Sequence, residues 1–260
     1  MMTLVIAGLL AVVIPAAAWK KGSLRLSASV VSGIMVLLTG FAGLPCTLLM
    51  VTSFLAISVV EKLLRPRAEA IERDNVLKCG PRDAVQVLAN GGFGMAGIAG
   101  FLMTGIPLFL TVYAAAIAES LGDSVASSAG MAMQGPTYDI CTLKRLSPGI
   151  SGGISLVGTL SALAACASVG LFALLTGITD VRGCMVITAA AFAGVAADSV
   201  MGSRLQRKNR CPVCGKITEK DFHCGQATRY CSGLHHLNND GVNALSNLTA
   251  VLAALVLSLI

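Results

Sequence analysis

The sequence predicts an all-α, polytopic integral membrane protein with about eight transmembrane helices. Of its 260 residues, 55% are hydrophobic and only 12% are charged, whereas a soluble domain carries about twice that share of charge. Apolar runs long enough to cross roughly 30 Å of hydrocarbon recur along the chain. These runs are continuous rather than alternating in polarity, which favours helices over a β-barrel.

Eight apolar runs are the predicted crossings, at residues 2–18, 26–40, 44–60, 84–103, 106–118, 153–176, 183–200 and 242–260. Several are short or interrupted by glycine, so seven to nine crossings fit the pattern. The first run ends in three alanines, as a signal peptide does. Its lysines, Lys20 and Lys21, follow the run instead of preceding it, which predicts a retained first helix.

The basic residues predict the orientation. With eight crossings, the connections at 19–25, 61–83, 119–152 and 201–241 share one side and hold 18 of the 19 Lys and Arg residues; only Arg182 lies opposite. By the positive-inside rule that side is the cytoplasm, and both termini lie outside. We therefore expect one membrane domain over 1–260, in the plasma or inner membrane if the source is bacterial, with an active face towards the cytoplasm. Nothing in the sequence indicates the oligomeric state, and no motif indicates nucleic-acid binding.

The chain is organised around the segment AESLGDSVASSAG, residues 118–130. Glu119 and Asp123 are four residues apart and share one helix face. At the end of an apolar helix, on a membrane surface, two such acids predict a site for a divalent cation. The alternative is a polar helix end with solvated acids.

Further polar residues occur at the predicted cytoplasmic ends of other crossings. They are Arg82 and Asn90 before and in the fourth run, Asp198 at the end of the seventh, and Asn239, Asp240 and Asn243 at the start of the eighth. Polar groups on a membrane helix face protein or a cavity rather than acyl chains, and an intramembrane acid is by default functional. Simple hydrogen bonding between helices is the alternative.

Two glycine-rich segments have competing interpretations. Gly92, Gly94 and Gly97 match G-x-G-x-x-G, but no strand precedes them, which favours helix packing over dinucleotide binding. Gly152 and Gly153 open the sixth run and are either an anion site at a helix start or ordinary packing glycines. Lys144 and Arg145 in the preceding connection would add positive charge beside such a site.

A Cys/His-rich loop at 203–240 precedes the last helix. It contains Cys211-x2-Cys214-Gly, which resembles a zinc knuckle, and the candidates to complete four ligands are His223, Cys224 and Cys231. Six of the nine cysteines lie on the predicted reducing side, so metal ligation is favoured over disulfides; they are Cys79, Cys141, Cys211, Cys214, Cys224 and Cys231. Unliganded thiols are the alternative.

Five ordered motifs, RDAVQVLAN, AESLGDSVASSAG, PGISGGISLVGTL, ADSVMGS and NNDGVNALSN, resemble the transmembrane protein 19 family, also called domain of unknown function 92. The resemblance covers essentially the whole chain. That family includes a plant phytyl-phosphate kinase, so the resemblance implies an isoprenyl monophosphate kinase that uses CTP or ATP. It also implies Mg²⁺ on Glu119, Asp123 and Asp198. Ser128 and Ser151 stand where the family often has acids or Asn, which implies one metal ion rather than two.

In this interpretation Arg82 offsets the charge of the transferred phosphoryl group. The nucleotide site then draws on the remaining polar and glycine positions, which are Asn90, Lys144, Arg145, Gly152, Gly153, Asn239, Asp240 and Asn243. Two other functions stay open: a transporter or flippase for a phosphorylated lipid or small anion, and a zinc-stabilised scaffold without catalysis.

Overall fold

Eight α-helices form the protein in the computed structural model, which describes residues 2–75 and 80–260. They are α1 (Met2–Lys20), α2 (Leu26–Ala42), α3 (Leu44–Asn75), α4 (Ala84–Thr104), α5 (Leu108–Met133), α6 (Leu156–Leu175), α7 (Val181–Arg204) and α8 (Asn239–Leu259). Seven are long and apolar enough to cross a membrane, and α2 is a shorter apolar helix of 17 residues. The prediction of an all-α polytopic membrane protein is confirmed. Cys79 lies outside the described residues.

Hydrogen bonds between the basic connections place them at one end of the bundle, which we call the basic end. The Arg25 amide, before α2, donates to the Arg82 carbonyl before α4 at 2.8 Å. The Gln134 side-chain amide, after α5, donates to the Arg67 carbonyl near the end of α3 at 3.3 Å. The α2 helix therefore starts at the basic end beside the start of α4. Its direction is opposite to that of α1 and α3, so the helix directions alternate along the chain with α2 included.

The opposite end is held by contacts between residues near the helix termini. The Tyr113 hydroxyl of α5 donates to the Cys46 carbonyl at the start of α3 at 2.7 Å. The Arg182 guanidinium at the start of α7 donates to the Ser258 carbonyl near the end of α8 at 3.4 Å. The starts of α3 and α5 therefore lie together, as do the start of α7 and the end of α8.

The α5 helix is the central element of the bundle, and it packs against α3, α4, α6, α7 and α8. Residues 110–122 of this helix are all buried. Its run of alanines allows close backbone approach, which is how membrane helices associate without a hydrophobic driving force between them. A Cβ on Gly97 of α4 would lie 2.8 Å from the Phe109 carbonyl oxygen and the Tyr113 amide nitrogen. These contacts agree with packing as the role of the G-x-G-x-x-G pattern.

Three helices extend beyond their predicted ends at the basic end. The α3 helix continues through much of the predicted 61–83 loop to Asn75, α5 continues to Met133, and α7 continues to Arg204. The prediction that the fifth helix ends near Ala118 is wrong. Small residues allow the segment after Ala118 to pack between neighbouring helices, so it remains helical although it is less apolar.

The connections contain short strands that the sequence reading did not predict. Between α5 and α6 lie β1 (Thr137–Asp139), β2 (Arg145–Leu146) and β3 (Gly153–Ile154), ordered β2-β1-β3. Between α7 and α8 lie β4 (Lys208–Arg210), β5 (Ile217–Thr218), β6 (Phe222–His223), β7 (Gln226–Ala227) and β8 (Arg229–Ser232). They form a β5-β4-β8 sheet and a β6-β7 hairpin. All pairings are antiparallel.

The predicted orientation can be tested by cysteine labelling in intact cells. Lys144, on the exposed β1–β2 turn, and Val181, at the start of α7, are exposed at opposite ends. In a Cys184→Ser background, we expect Val181→Cys to react with a membrane-impermeant maleimide and Lys144→Cys to react only after permeabilisation. The parent without either new cysteine measures the background. Labelling of position 144 but not 181 in intact cells would reverse the orientation.

Candidate functional site

The acidic pair of α5 lies inside the helix bundle and not at a helix end. Glu119 follows Leu108 by 11 residues and precedes Met133 by 14, so it is about 16 Å and 21 Å from the two ends of the helix. Its side chain is 1% exposed. The expectation of two acids at the membrane surface is therefore wrong for Glu119. Burial in a polar cluster replaces solvation by water.

Both carboxylate oxygens of Glu119 accept hydrogen bonds from α8. The Ser246 hydroxyl donates to Oε1 at 2.7 Å, and the Asn247 amide nitrogen donates to Oε2 at 2.9 Å. Ser246 and Asn247 are fully buried. A buried polar group is tolerated only when it is hydrogen-bonded, so α8 provides the polar partners that allow Glu119 to be buried.

The cluster continues into α4 through Asn90. The Asn243 amide of α8 donates to the Asn90 side-chain oxygen at 3.3 Å, and the Asn90 amide donates to the Gln86 carbonyl at 2.9 Å. The Ser120 hydroxyl of α5 donates to the Asn90 main-chain carbonyl. The predicted residues Glu119, Asn90 and Asn243 are thus joined into one network that ties α4, α5 and α8 together.

Asp123 and Asp198 lie beside this network. The Asp123 carboxylate interacts electrostatically with Glu119, Asp198 and the Arg82 guanidinium. Asp198 is on α7, six residues before Arg204 and about 9 Å inside the helix end. Its Oδ2 atom is buried without a hydrogen-bond partner, as is Oδ1 of Asn247. Such atoms in a native fold indicate a ligand, ion or water that completes the site.

Arg82 stands at the start of α4 and forms an ion pair with Glu61 of α3. Its side chain is 23% exposed, so the charge is neither fully buried nor fully solvated. From this position the guanidinium interacts with the Asp123 carboxylate and is accessible from the basic end. This is the arrangement expected of a cation that meets an incoming anion.

Close helix packing sets the distance between α7 and the cluster. A Cβ on Gly194 of α7 would lie 2.7 Å from Glu119 Cγ, 2.9 Å from Ala250 Cβ and 3.0 Å from the Ser246 carbonyl oxygen. Such contacts are shorter than carbon atoms tolerate. Glycine at 194 therefore allows Asp198, one turn further along, to approach α5 and α8.

Several predicted residues lie in the connection between α5 and α6 and not in the helices that carry the carboxylates. Lys144 is exposed on the β1–β2 turn, and Arg145 is exposed at the start of β2. Gly152 contacts Gly202 and Ser203 at the end of α7. Gly153 belongs to β3, and the α6 helix begins at Leu156 after an N-cap on Ser155. The expectation that Gly152 and Gly153 open the sixth helix is wrong, because Gly153 belongs to β3 and Gly152, just before it, packs on the end of α7.

Asn239 and Asp240 occupy the first turn of α8, with Asn238 as the N-cap. Asp240 is buried. Asn243 follows one turn later and reaches Asn90, so α8 carries its polar residues along one face into the bundle. The first two residues lie at the basic end of that face, above the buried network.

The sequence reading missed Asp139, which anchors the small β1–β3 sheet. Its Oδ1 accepts from the Cys141 and Thr142 amides at 3.0 and 2.8 Å, and its Oδ2 accepts from the Ser203 hydroxyl at 2.7 Å. Burial raises the pKa of this carboxyl, but the hydrogen bonds from Ser203 and Thr142 outweigh it and lower the pKa to about 2. The carboxylate is therefore charged at neutral pH and holds the sheet to α7.

Ser120 and Asn247, which are central to the network, were also not predicted as site residues from the sequence. Asn247 follows Asn243 by four residues and shares its helix face, so the spacing that identified Glu119 and Asp123 contained the same signal. Gly194 had no comparable signal, because only the neighbouring helices distinguish it from other glycines.

The Cys/His-rich loop forms a second group at the basic end. The ligand atoms of Cys211, Cys214, His223 and Cys224 all lie within 4.8 Å of one another. Among the described residues, no other group of three or more His, Cys, Asp or Glu side chains meets that limit. Cys231, the fifth predicted ligand, is outside the group, and its Sγ lies 3.9 Å from Ser232 Oγ.

Hydrogen bonding within this group favours a thiolate at Cys211, whereas the hydrogen bond with Cys214 raises the pKa of the Cys224 thiol to about 11. The Cys214 backbone, together with the His223 side chain, lowers the pKa of the Cys211 thiol to about 6. A thiolate is the form that binds metal. The chemistry of the loop is therefore different from that of the oxygen-rich cluster inside the bundle.

These features define a polytopic helical membrane protein with a buried cluster of carboxylates, amides and hydroxyls. The chain belongs to the integral membrane protein family DUF92, whose model matches residues 9–251. The family assignment made from the five motifs is confirmed.

Two relatives illustrate the similarity. Over 253 residues the chain is 28% identical to Protein PGR of Arabidopsis thaliana, covering 88% of this chain and 86% of the plant protein. Over 96 residues it is 33% identical to an uncharacterized membrane protein of Synechocystis sp., covering 37% of each chain. No solved structure matches the chain.

Proposed function

We propose that the protein is a membrane-embedded kinase that phosphorylates an isoprenyl monophosphate to the diphosphate, with CTP or ATP as donor and Mg²⁺ as cofactor. The observation that carries this proposal is the buried, unpartnered Oδ2 of Asp198 beside Asp123 and Glu119. The resemblance of the motifs to a family that includes a phytyl-phosphate kinase supports the same reaction.

The residues present fit Mg²⁺, which takes carboxylate oxygens, water and phosphate oxygens. Asp123 and Asp198 would hold the ion, since Asp198 has an oxygen without a hydrogen bond. Both oxygens of Glu119 already accept hydrogen bonds from α8, so Glu119 would contribute negative charge near the ion without binding it. When bound, the ion supplies positive charge to the phosphate oxygens.

The chemistry requires little from the protein beyond positioning and charge. An oxygen of the prenyl phosphate attacks the γ-phosphorus, and the bond from that phosphorus to the β-phosphate oxygen breaks. The products are the prenyl diphosphate and the nucleoside diphosphate. The acceptor is already an anion, so no strong general base is needed. Arg82 would stabilise the charge on the transferred group, and Lys144 and Arg145 would attract the nucleotide to the basic end.

The lipid tail would stay in the hydrocarbon while its phosphate enters between helices. Leu88 of α4 and Leu245 of α8 are apolar and exposed, and each lies two residues from Asn90 or Asn243 of the network. Side chains two residues apart on a helix point to different sides, so these leucines mark the lipid-facing surfaces of α4 and α8, and the phosphate of an amphiphilic substrate would have to pass between the helices to reach the acids.

The direct test is phosphoryl transfer by purified protein in lipid nanodiscs. With γ-labelled CTP or ATP and phytyl, farnesyl or geranylgeranyl monophosphate, we expect a labelled prenyl diphosphate that requires Mg²⁺ and disappears with EDTA. Protein-free nanodiscs serve as the control. Absence of labelled product with every donor and acceptor would contradict the proposal.

A carrier for a phosphorylated lipid or small anion is the second candidate. The depth of Glu119 in the bundle favours it, since carriers place their sites near the bilayer midplane. Proteoliposomes that move a prenyl phosphate between leaflets without added nucleotide would support this function. Turnover that depends on nucleotide and yields a diphosphate would exclude it as the main activity.

A further inference from the structure

The segment between α7 and α8 has almost no apolar core of its own. It comprises 34 residues, from 205 to 238, and its strands are two to four residues long. Its buried side chains are Gln206, Lys208, Asn209, Cys211 and Thr218. Most of its large apolar side chains are exposed, namely Leu205, Val213, Phe222, Tyr230 and Leu234, and two, Ile217 and Leu237, are half-buried. Segments of this size normally need a disulfide or a metal ion to hold a defined fold.

The two ends of this segment are joined to each other by main-chain hydrogen bonds. The Leu234 amide donates to the Leu205 carbonyl at 2.7 Å, and the Arg207 amide donates to the Leu237 carbonyl at 2.8 Å. The Ser151 hydroxyl also bonds Glu219. These contacts hold the segment where it leaves α7 and enters α8. Its far tip, where β4–β5 and β6–β7 turn, requires another constraint.

The first turn at that tip has the backbone of a metal-binding knuckle. Between β4 and β5, the Cys211 amide donates to the Lys216 carbonyl at 2.9 Å, and the Gly215 amide donates to the Cys211 carbonyl at 3.0 Å. The Val213 amide points at Cys211 Sγ, 3.4 Å away. Gly215 has φ of +73°, a conformation that favours glycine. The turn therefore presents two sulfur atoms on one side.

The second turn presents the other two ligands. His223 pairs with Gln226 in the β6–β7 hairpin, so Cys224 and Gly225 form a two-residue turn. Both have positive φ, +51° and +75°, as a type I′ turn requires. A non-glycine residue with positive φ is uncommon, and here that conformation brings the Cys224 thiol back towards His223.

The spacing of the ligand atoms matches a tetrahedral ion. Bonded to one tetrahedral zinc at about 2.3 and 2.0–2.1 Å, a sulfur and a nitrogen lie about 3.5–3.6 Å apart and two sulfurs about 3.8 Å apart. The Sγ atoms of Cys214 and Cys224 lie 3.5 and 3.2 Å from His223 Nδ1. All four ligand atoms lie within 4.8 Å of one another. Three thiols and one imidazole are a common structural zinc set.

We infer that Cys211, Cys214, His223 and Cys224 bind one structural zinc ion that joins the two turns and maintains the fold of the α7–α8 connection. Cys231 takes no part. The ion ties two elements together: α7, which carries Asp198, and α8, which carries the partners of Glu119. The inference does not depend on the kinase proposal, because it rests only on the thiol and imidazole groups.

The test is metal analysis with a matched cysteine control. Purified full-length protein should contain close to one zinc per chain and little iron. Cys211→Ser with Cys214→Ser should reduce zinc at least tenfold, whereas Cys231→Ser, in the same segment, should retain it. Zinc-free wild-type protein, stoichiometric iron, or zinc that survives the double substitution would each overturn the inference.

Alkylation of the wild-type protein gives a second test if the double variant fails to fold. Cys214 and Cys224 are exposed, so burial alone would leave them reactive. We expect iodoacetamide to modify them at least tenfold faster after a chelator is added, while exposed Cys231 reacts at one rate throughout. Equal rates with and without the chelator, or a Cys214–Cys224 disulfide, would refute zinc binding.

Discussion

Asp198→Asn and Asp123→Asn are each expected to lower phosphoryl transfer by about 100-fold or more, a typical effect of removing one preorganised charge-stabilising group. Each substitution removes a charge and nearly preserves shape. Because the two acids act on the same ion, the double variant should lose little more than either single variant. Folding should survive, since Oδ2 of Asp198 gives up no hydrogen bond and a neutral amide costs less to bury than a carboxylate.

Asp180→Asn is the matched control for this prediction. Asp180 is the N-cap of the same helix at the opposite end, where it accepts from the Gly183 amide at 2.8 Å. Asparagine caps equally well, so activity should be unchanged. Electron paramagnetic resonance of added Mn²⁺ gives a readout independent of turnover. Full activity and unchanged Mn²⁺ binding in Asp198→Asn would contradict the shared metal site.

Asn247→Leu is expected to destabilise the bundle more than other conservative changes in α8. The side chain is fully buried, and its amide donates to Glu119 Oε2 and to the Ala116 carbonyl at 2.9 and 2.8 Å. Leucine has similar volume but no donor, so it leaves a buried carboxylate short of a partner. We expect the free energy of unfolding to fall by about 2 kcal/mol, which corresponds to a melting temperature lower by roughly 4–8 °C.

Thr249→Val provides the comparison on the same helix. The Thr249 hydroxyl donates to the Leu245 carbonyl of its own helix at 2.8 Å, so its loss leaves the contacts between helices intact. Melting can be followed by far-ultraviolet circular dichroism in detergent. A melting temperature for Asn247→Leu equal to that of Thr249→Val would show that the network contributes little to stability.

The sequence by itself determined the class of protein, the number of helices and the family. Apolar runs separated by basic connections are properties of the linear chain, since hydrocarbon thickness sets the length of each run and hydration keeps charges out of it. The CPVCG knuckle at residues 211–215 and the turn at residues 223–225 could also be found in the sequence, because the residues of each lie next to one another in the chain. The acids Glu119, Asp123 and Asp198 were identified for the same reason, as rare ionisable residues in apolar surroundings.

The tertiary structure alone decided where these residues lie. Whether helix α5 ends at Ala118 or continues to Met133 depends on whether α7 and α8 pack against it and provide hydrogen bonds to Glu119. The sequence does not specify which helices become neighbours, because association inside a membrane depends on close contact between small residues such as Gly194. That Cys224 rather than Cys231 lies close to Cys211, Cys214 and His223 likewise depends on a positive φ and a two-residue turn. Burial, pairing and the grouping of these side chains are relations between distant segments, and only the folded chain contains them.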